Sequence, residues 1–142
     1  MEGVKIGAKL ERLFNHSKNG GCGFYAINVI LMMFDKKEVF FPFSRKKGIS
    51  SKKLILELRK AGLVVASKTI SARNLKPRSI LWYPKPIDHY VVIGEVADGR
   101  VLIYDSERKG GPKWHRLSYL KKKWYKWYSG RYCGWVVEVR KK

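Results

Sequence analysis

Acidic residues are scarce in this chain. Eleven Asp and Glu stand against 31 Lys and Arg, a net charge of +20 over 142 residues. Such an excess implies attraction to polyanions: nucleic acid, an anionic membrane surface or an acidic substrate. Cysteine is scarce too. Cys22 and Cys133 could pair in principle, but two cysteines do not make the dense disulfide framework of a small secreted domain, and a reducing cytosol is the simpler setting. Three histidines, His16, His89 and His115, with two separated cysteines give no zinc-binding pattern, and no cofactor is indicated. The amino terminus lacks the apolar core of a signal peptide, and the one long apolar run is too short and too internal to span a bilayer. These absences predict a cytoplasmic protein without a transmembrane segment. No repeat, low-complexity stretch or Pro/Gly/Ser linker divides the chain, so residues 1–142 read as one domain. The apolar share of 45% is enough at this length to bury a core without disulfides or metal.

The first half reads helical. Phe24 to Phe34 is apolar on nearly every face, which predicts a buried helix. A basic, aromatic connection over 35–48 leads to a second helix that Ser50 or Ser51 can cap, with Leu54, Ile55, Leu58 and Ala61 on one face and Gly62 at its end. Beyond Gly62 the pattern changes to strands over residues 63–66, 80–83, 90–96, 101–104 and 135–139. Helices first and an antiparallel sheet second is an α+β layout.

Cys22 lies in Asn19-Gly20-Gly21-Cys22-Gly23, directly before the buried helix. A glycine turn that delivers a cysteine to the first turn of a helix sets its sulfur near unpaired N–H groups and the positive end of the dipole, which favours the reactive thiolate. Thiol hydrolysis also needs an imidazole to move the proton and a polar group to fix the imidazole's tautomer. His89 begins one predicted strand and Asp105 ends its partner, so a hairpin brings both to the same end of the sheet. Strand alternation then makes a demand. A two-residue loop at Asp98-Gly99 sets Asp105 opposite Val92 and sends His89 to the other face. A three-residue loop, Ala97-Asp98-Gly99 with a bulge, or an equivalent bulge, sets it opposite Val91 and returns both to one face. Taken singly, Cys22 reads as well as a buried structural thiol, His89 as a strand-edge histidine and Asp105 as a turn cap. Their joint occurrence carries the weight.

Cys22-Gly23 before a buried helix, a helix ending in Lys60-Ala61-Gly62-Leu63, then Asp88-His89-Tyr90-Val91-Val92-Ile93 and Val101-Leu102-Ile103-Tyr104-Asp105-Ser106 resemble the C39 peptidases. These are papain-like cysteine peptidases best known as leader-cleaving domains of bacteriocin ABC transporters. The resemblance runs from about residue 10 to residue 139, and the stretch from Leu117 to Gly130 is similar to the family's late helix and turn. It implies a papain-like fold with amino-terminal helices packed on the sheet, and a peptide or protein substrate. It also implies Cys22 as nucleophile, His89 as general base and acid, and Asp105 as the group that orients His89. Six residues before the cysteine, where the family has an oxyanion glutamine, this chain has His16. The candidates for that donor are His16, Asn15 and Asn19.

A second reading is a catalytically silent papain-like domain that binds nucleic acid or another polyanion. From Lys121 to Arg131 the chain interleaves Trp124 and Trp127 with Lys121, Lys122, Lys123, Lys126 and Arg131, a composition able to stack bases while neutralising phosphates. An amphipathic helix with an aromatic core face is the plainer account of the same residues. Gly110-Gly111-Pro112-Lys113 lacks P-loop spacing and reads as a turn.

Overall fold

The computed structural model describes the backbone of residues 2–17, 21–44, 48–84 and 88–142 and, apart from residues 2–6 and 16, their side chains. Helix α1 spans Glu2–His16 and buries Leu10 and Leu13. Helix α2, Cys22–Met33, buries every residue from Gly23 to Leu31, as its all-round apolar sequence requires. Its one fully buried polar side chain, Asn28, has two jobs. The amide donates to the carbonyls of Phe24 and Val39 and accepts from the Val39 N–H, which pins the connection after α2 back onto the helix. Phe41 and Phe43 of that connection pack against Phe24 at ring separations of 5.6 and 5.4 Å. Helix α3, Ser51–Lys60, starts where the Ser50 hydroxyl accepts from the Lys53 N–H, and ends before Gly62, whose φ of 87° suits glycine.

Seven strands follow: β1 (Val64–Ile70), β2 (Ser79–Tyr83), β3 (His89–Ala97), β4 (Arg100–Tyr104), β5 (Lys113–Arg116), β6 (Lys126–Tyr128) and β7 (Arg131–Arg140). Helix α4, Leu117–Trp124, lies between β5 and β6. The sheet runs β1-β7-β2-β3-β4-β5 with antiparallel neighbours, and β6 pairs with β7 off that path.

Both faces of the sheet are covered. Ile80, Val92 and Val137 face the core under α1 to α3, whereas Leu81, Val91, Ile93 and Val136 join Leu120 and Trp124 of α4 in a second core. Continuous apolar runs such as Val91-Val92-Ile93 follow from that double burial, since alternation is lost when both faces are dry. The expected helix-on-sheet layers are present, and α4 adds a third layer. The five strands expected from sequence all form. β5 and β6 were not expected, because β5 is a polar edge strand and β6 has only three residues.

One expected site residue is displaced by this packing. Trp124 is fully buried, its indole N–H donates to the Trp135 carbonyl at 2.7 Å, and its ring lies on Gly134 so closely that a methyl there would overlap it. It is a core residue and not a base-stacking one.

Candidate active site

Cys22 opens α2, half-buried, between two glycines whose role is room rather than an unusual backbone angle. A methyl on Gly21 would meet the Ser17 backbone at 2.6 Å, and one on Gly23 would meet Ile49 Cβ at 2.9 Å. Gly21 has φ −92°, an angle open to any residue. The glycines therefore let the first turn of α2 seat tightly against its neighbours with the sulfur at the helix start.

His89 and Asp105 reach one another by a route the sequence left open. The β3–β4 hairpin closes with the two-residue turn Asp98-Gly99, both in the left-handed region at φ 50° and 73°, and Ala97 pairs with Arg100. The expected three-residue loop is absent. Register is shifted instead by a bulge at Gly94: Glu95 faces Leu102, but Ile93 faces Ile103 and Val92 faces Tyr104. One step further, Asp105 falls opposite Val91, on the His89 face of the sheet. Asp105 Oδ1 then lies 2.6 Å from His89 Nε2 and also accepts from the Glu107 N–H at 2.9 Å.

With Nε2 committed to Asp105, Nδ1 is the ring nitrogen left to face Cys22, and the thiol and the imidazole are near enough for each to bias the other's ionisation. The electrostatics follow from these contacts. Burial would raise the Cys22 pKa, but the His89 hydrogen bond and charge and the backbone N–H groups of Tyr90 and Gly23 reverse it, and the thiol is held below its ordinary value. Burial alone would lower His89; hydrogen bonds and charge from Asp105 and Cys22 overcome it and push the imidazole up to about 10. Burial would raise Asp105, whereas its bond to His89 and the charges of His89 and Lys123 hold it below the usual carboxylate value. All three directions favour the charged forms: thiolate, imidazolium and carboxylate.

The oxyanion candidates are placed less fully. The His16 backbone ends α1, Asn15 is exposed on the same helix, and Asn19 lies outside the described residues, as does Gly20. Buried Ser17, with a hydroxyl that has no partner among the described residues, follows His16 and was not singled out from sequence. His89, Asp105 and Glu107 bring one donor atom each within 4.8 Å of one another, the spacing of a metal site. Nε2 and Oδ1 are already bonded to each other there, and Glu107 is exposed, so a metal would have to break the pair that orients the imidazole.

Elsewhere, Lys121, Lys122, Lys126, Trp127 and Arg131 are exposed, Trp127 at 63%. Lys123 is half-buried with its ammonium 5.5 Å from the Tyr119 ring centre, and Lys126 lies 5.4 Å from that of Trp82. The surface aromatic of the set is thus Trp127, with Tyr132 opposite it across the β6–β7 pair. Cys133 is fully buried and not paired with Cys22. No helix of the described residues is long and apolar enough to cross a membrane.

By sequence, no family model and no curated protein matches the chain. By structure it is similar to the peptidase domain of Streptococcus ComA, a bifunctional ABC transporter of a quorum-sensing pathway, at a TM-score of 0.62 and 11% identity over 87% of this chain and 93% of that one. It is also similar to the amino-terminal C39-like peptidase domain of a toxin-secretion ATP-binding protein from Vibrio parahaemolyticus, at 0.65 and 14% over 86% and 98%. A double-glycine-motif protease from an AMS/PCAT transporter, solved with its leader peptide, gives 0.64 and 15% over 86% and 85%. At such identities what is shared is the fold. The chain has the C39 papain-like peptidase fold.

Proposed function

We propose that this protein, taken as a single C39-like domain, is a cysteine peptidase that cleaves a peptide or amide bond through a thioester on Cys22. The observation that carries the reading is the line from the Cys22 thiol at the start of α2, through the His89 imidazole, to the Asp105 carboxylate 2.6 Å away. A C39-fold neighbour solved with a leader peptide supports a peptide as the substrate class.

The Cys22 thiolate attacks the carbonyl carbon, and the carbonyl electrons move to oxygen. A helix start supplies N–H groups without intrahelical acceptors, and the Cys22 N–H is the one closest in sequence to the developing oxyanion. His16, Asn15 or Asn19 supplies a second donor in place of the family's glutamine. The His89 imidazolium gives its proton to the leaving amine, leaving an acyl-thioester. Neutral His89 then takes a proton from water, which attacks the thioester and returns Cys22 as thiolate. Asp105 keeps the ring in one tautomer and stabilises its cationic form throughout.

The test is hydrolysis of a peptide library by the wild-type chain and by Cys22→Ala. Cleavage that disappears with the sulfur supports the mechanism. Cleavage that survives the replacement removes it.

A further inference from the structure

A cavity opens beside Asp105, and Asp105 is the one residue of its walls that the proposed chemistry uses. Its volume is about 550 Å³, and its walls include Tyr83, Asp105, Arg108, Lys109, Lys113 and Tyr119. Three of these are cations from one short stretch that runs from the turn after Asp105 to the start of β5. Among the described residues none of the three is in an ion pair. Opposing them are Asp105, whose charge is met by His89, and the exposed carboxylate of Glu107. The balance in the cavity is positive. His115, also in the wall, shows the same field: burial first, then the charges of Lys113 and Arg108, hold its pKa below the ordinary value.

An independent feature points the same way. Tyr83 is only 4% exposed, and its phenol hydroxyl is buried with no hydrogen-bond partner among the described residues. A buried hydroxyl without a partner is costly, which makes it a donor awaiting an acceptor. It sits near the Asp105 and Tyr119 side chains.

We infer that this cavity binds a phosphate group, held by Arg108, Lys109 and Lys113 and by the Tyr83 hydroxyl. A guanidinium, two ammonium groups and a phenol offer more donors than the two oxygens of a carboxylate can engage, whereas the oxygens of a phosphate match them. The group is either free phosphate or a phosphate of a nucleic acid strand drawn in by the +20 charge. It would rest against Asp105, on the side away from His89, and so touch the residue on which the imidazole depends.

Inorganic phosphate titrated into the wild-type chain at constant ionic strength, followed by calorimetry and by the 31P shift, tests this without any measure of peptidase activity. Saturable binding of one phosphate is expected. Arg108→Ala with Lys113→Ala weakens it at least about tenfold, as loss of charge-assisted hydrogen bonds does. Tyr83→Phe, which changes no charge, weakens it by about threefold or more through the lost hydroxyl. The paired change Lys141→Ala with Lys142→Ala removes the same charge at the β1 end of the sheet, opposite β5, and leaves binding within about twofold, because exposed charges at a distance are screened. Equal loss in that control pair, indifference to Tyr83→Phe, or displacement of phosphate by equimolar acetate would each overturn the assignment. A single-stranded oligonucleotide that displaces the phosphate identifies the strand as its source, and one that does not identifies free phosphate.

Discussion

Gly94 lies against the ring of Tyr104, and a methyl added to it would sit 2.6 Å from Tyr104 Cε1. That contact is at the bulge which shifts β3 against β4 by one residue and brings His89 and Asp105 to one face of the sheet. Gly94→Ala forces either the Tyr104 ring or the bulge to move, and overpacking of this kind costs about 1–3 kcal/mol. The expected result is a lower melting temperature together with slower alkylation of Cys22 at neutral pH. A variant that melts lower but alkylates at the wild-type rate would place the strain on Tyr104 alone, and the bulge would keep its register.

The Cys22–His89 pair predicts a particular pH profile. The thiol is held below its ordinary value, so hydrolysis rises on the acid side as Cys22 ionises at a pH below that of a free thiol. His89 must be protonated to serve the leaving amine, and its proton is held to about pH 10, so the alkaline limb falls there. His89→Ala removes the imidazolium and moves the alkylation midpoint of Cys22 upward. An unchanged midpoint in that variant would mean the helix start alone sets the thiol. The same linkage acts on folding. His89 is raised above its unfolded value, so its contribution to stability is complete below pH 6.5 and is lost as pH climbs through about 10.

Asp105→Asn keeps the shape of the pair and removes its charge. The amide can hold the ring only in the tautomer that suits its nitrogen or its oxygen, and it cannot stabilise the imidazolium as a carboxylate does. A fall of roughly a hundredfold or more in kcat/KM is expected, with the alkaline limb moved to lower pH because His89 loses its counter-charge. In the wild type Asp105 is depressed below its unfolded value. Its stabilising contribution is therefore present above the ordinary carboxylate range and lost on acidification through the depressed value, and Asp105→Asn flattens that acid limb of a melting-temperature profile.

What could be read from the sequence was whatever one short segment decides for itself. The α2 run, the Ser50 cap, the stop at Gly62 and the apolar strands each carry a local physical signal, and each formed where its residues placed it. The hairpin shows the limit. Alternation showed that His89 and Asp105 need a one-residue shift between β3 and β4, but its position at Gly94 rather than in the turn depends on how Tyr104 packs, a contact between strands. Trp124 fails for a related reason. Lysines flank it in sequence, and only the closeness of β7 under α4 turns it inward. Tyr83 and the three cations that line its cavity carry no signal in any one segment, since that cavity joins β2, β5 and the turn after Asp105.

Trp124 also provides a test of the three-layer core. Its ring lies on Gly134, where a methyl would overlap Cε2, and its indole N–H is committed to the Trp135 carbonyl. Gly134→Ala cannot be absorbed by a rotation at the tip of a flexible chain, because the clash is with the fused ring itself. It must push α4 off the sheet or part β7 from its neighbours. Trp124→Ala leaves a cavity instead, for which about 3–5 kcal/mol is the usual loss. Both variants should melt well below wild type in a thermal unfolding measurement. α4 packs on the sheet face that carries Val91, His89 and Asp105, and its Lys123 charge helps to hold Asp105 down, so Cys22 alkylation in the fraction that stays folded is expected to shift its pH midpoint. An unchanged midpoint would show that Asp105 and His89 keep their register through β3 and β4 alone, without support from α4.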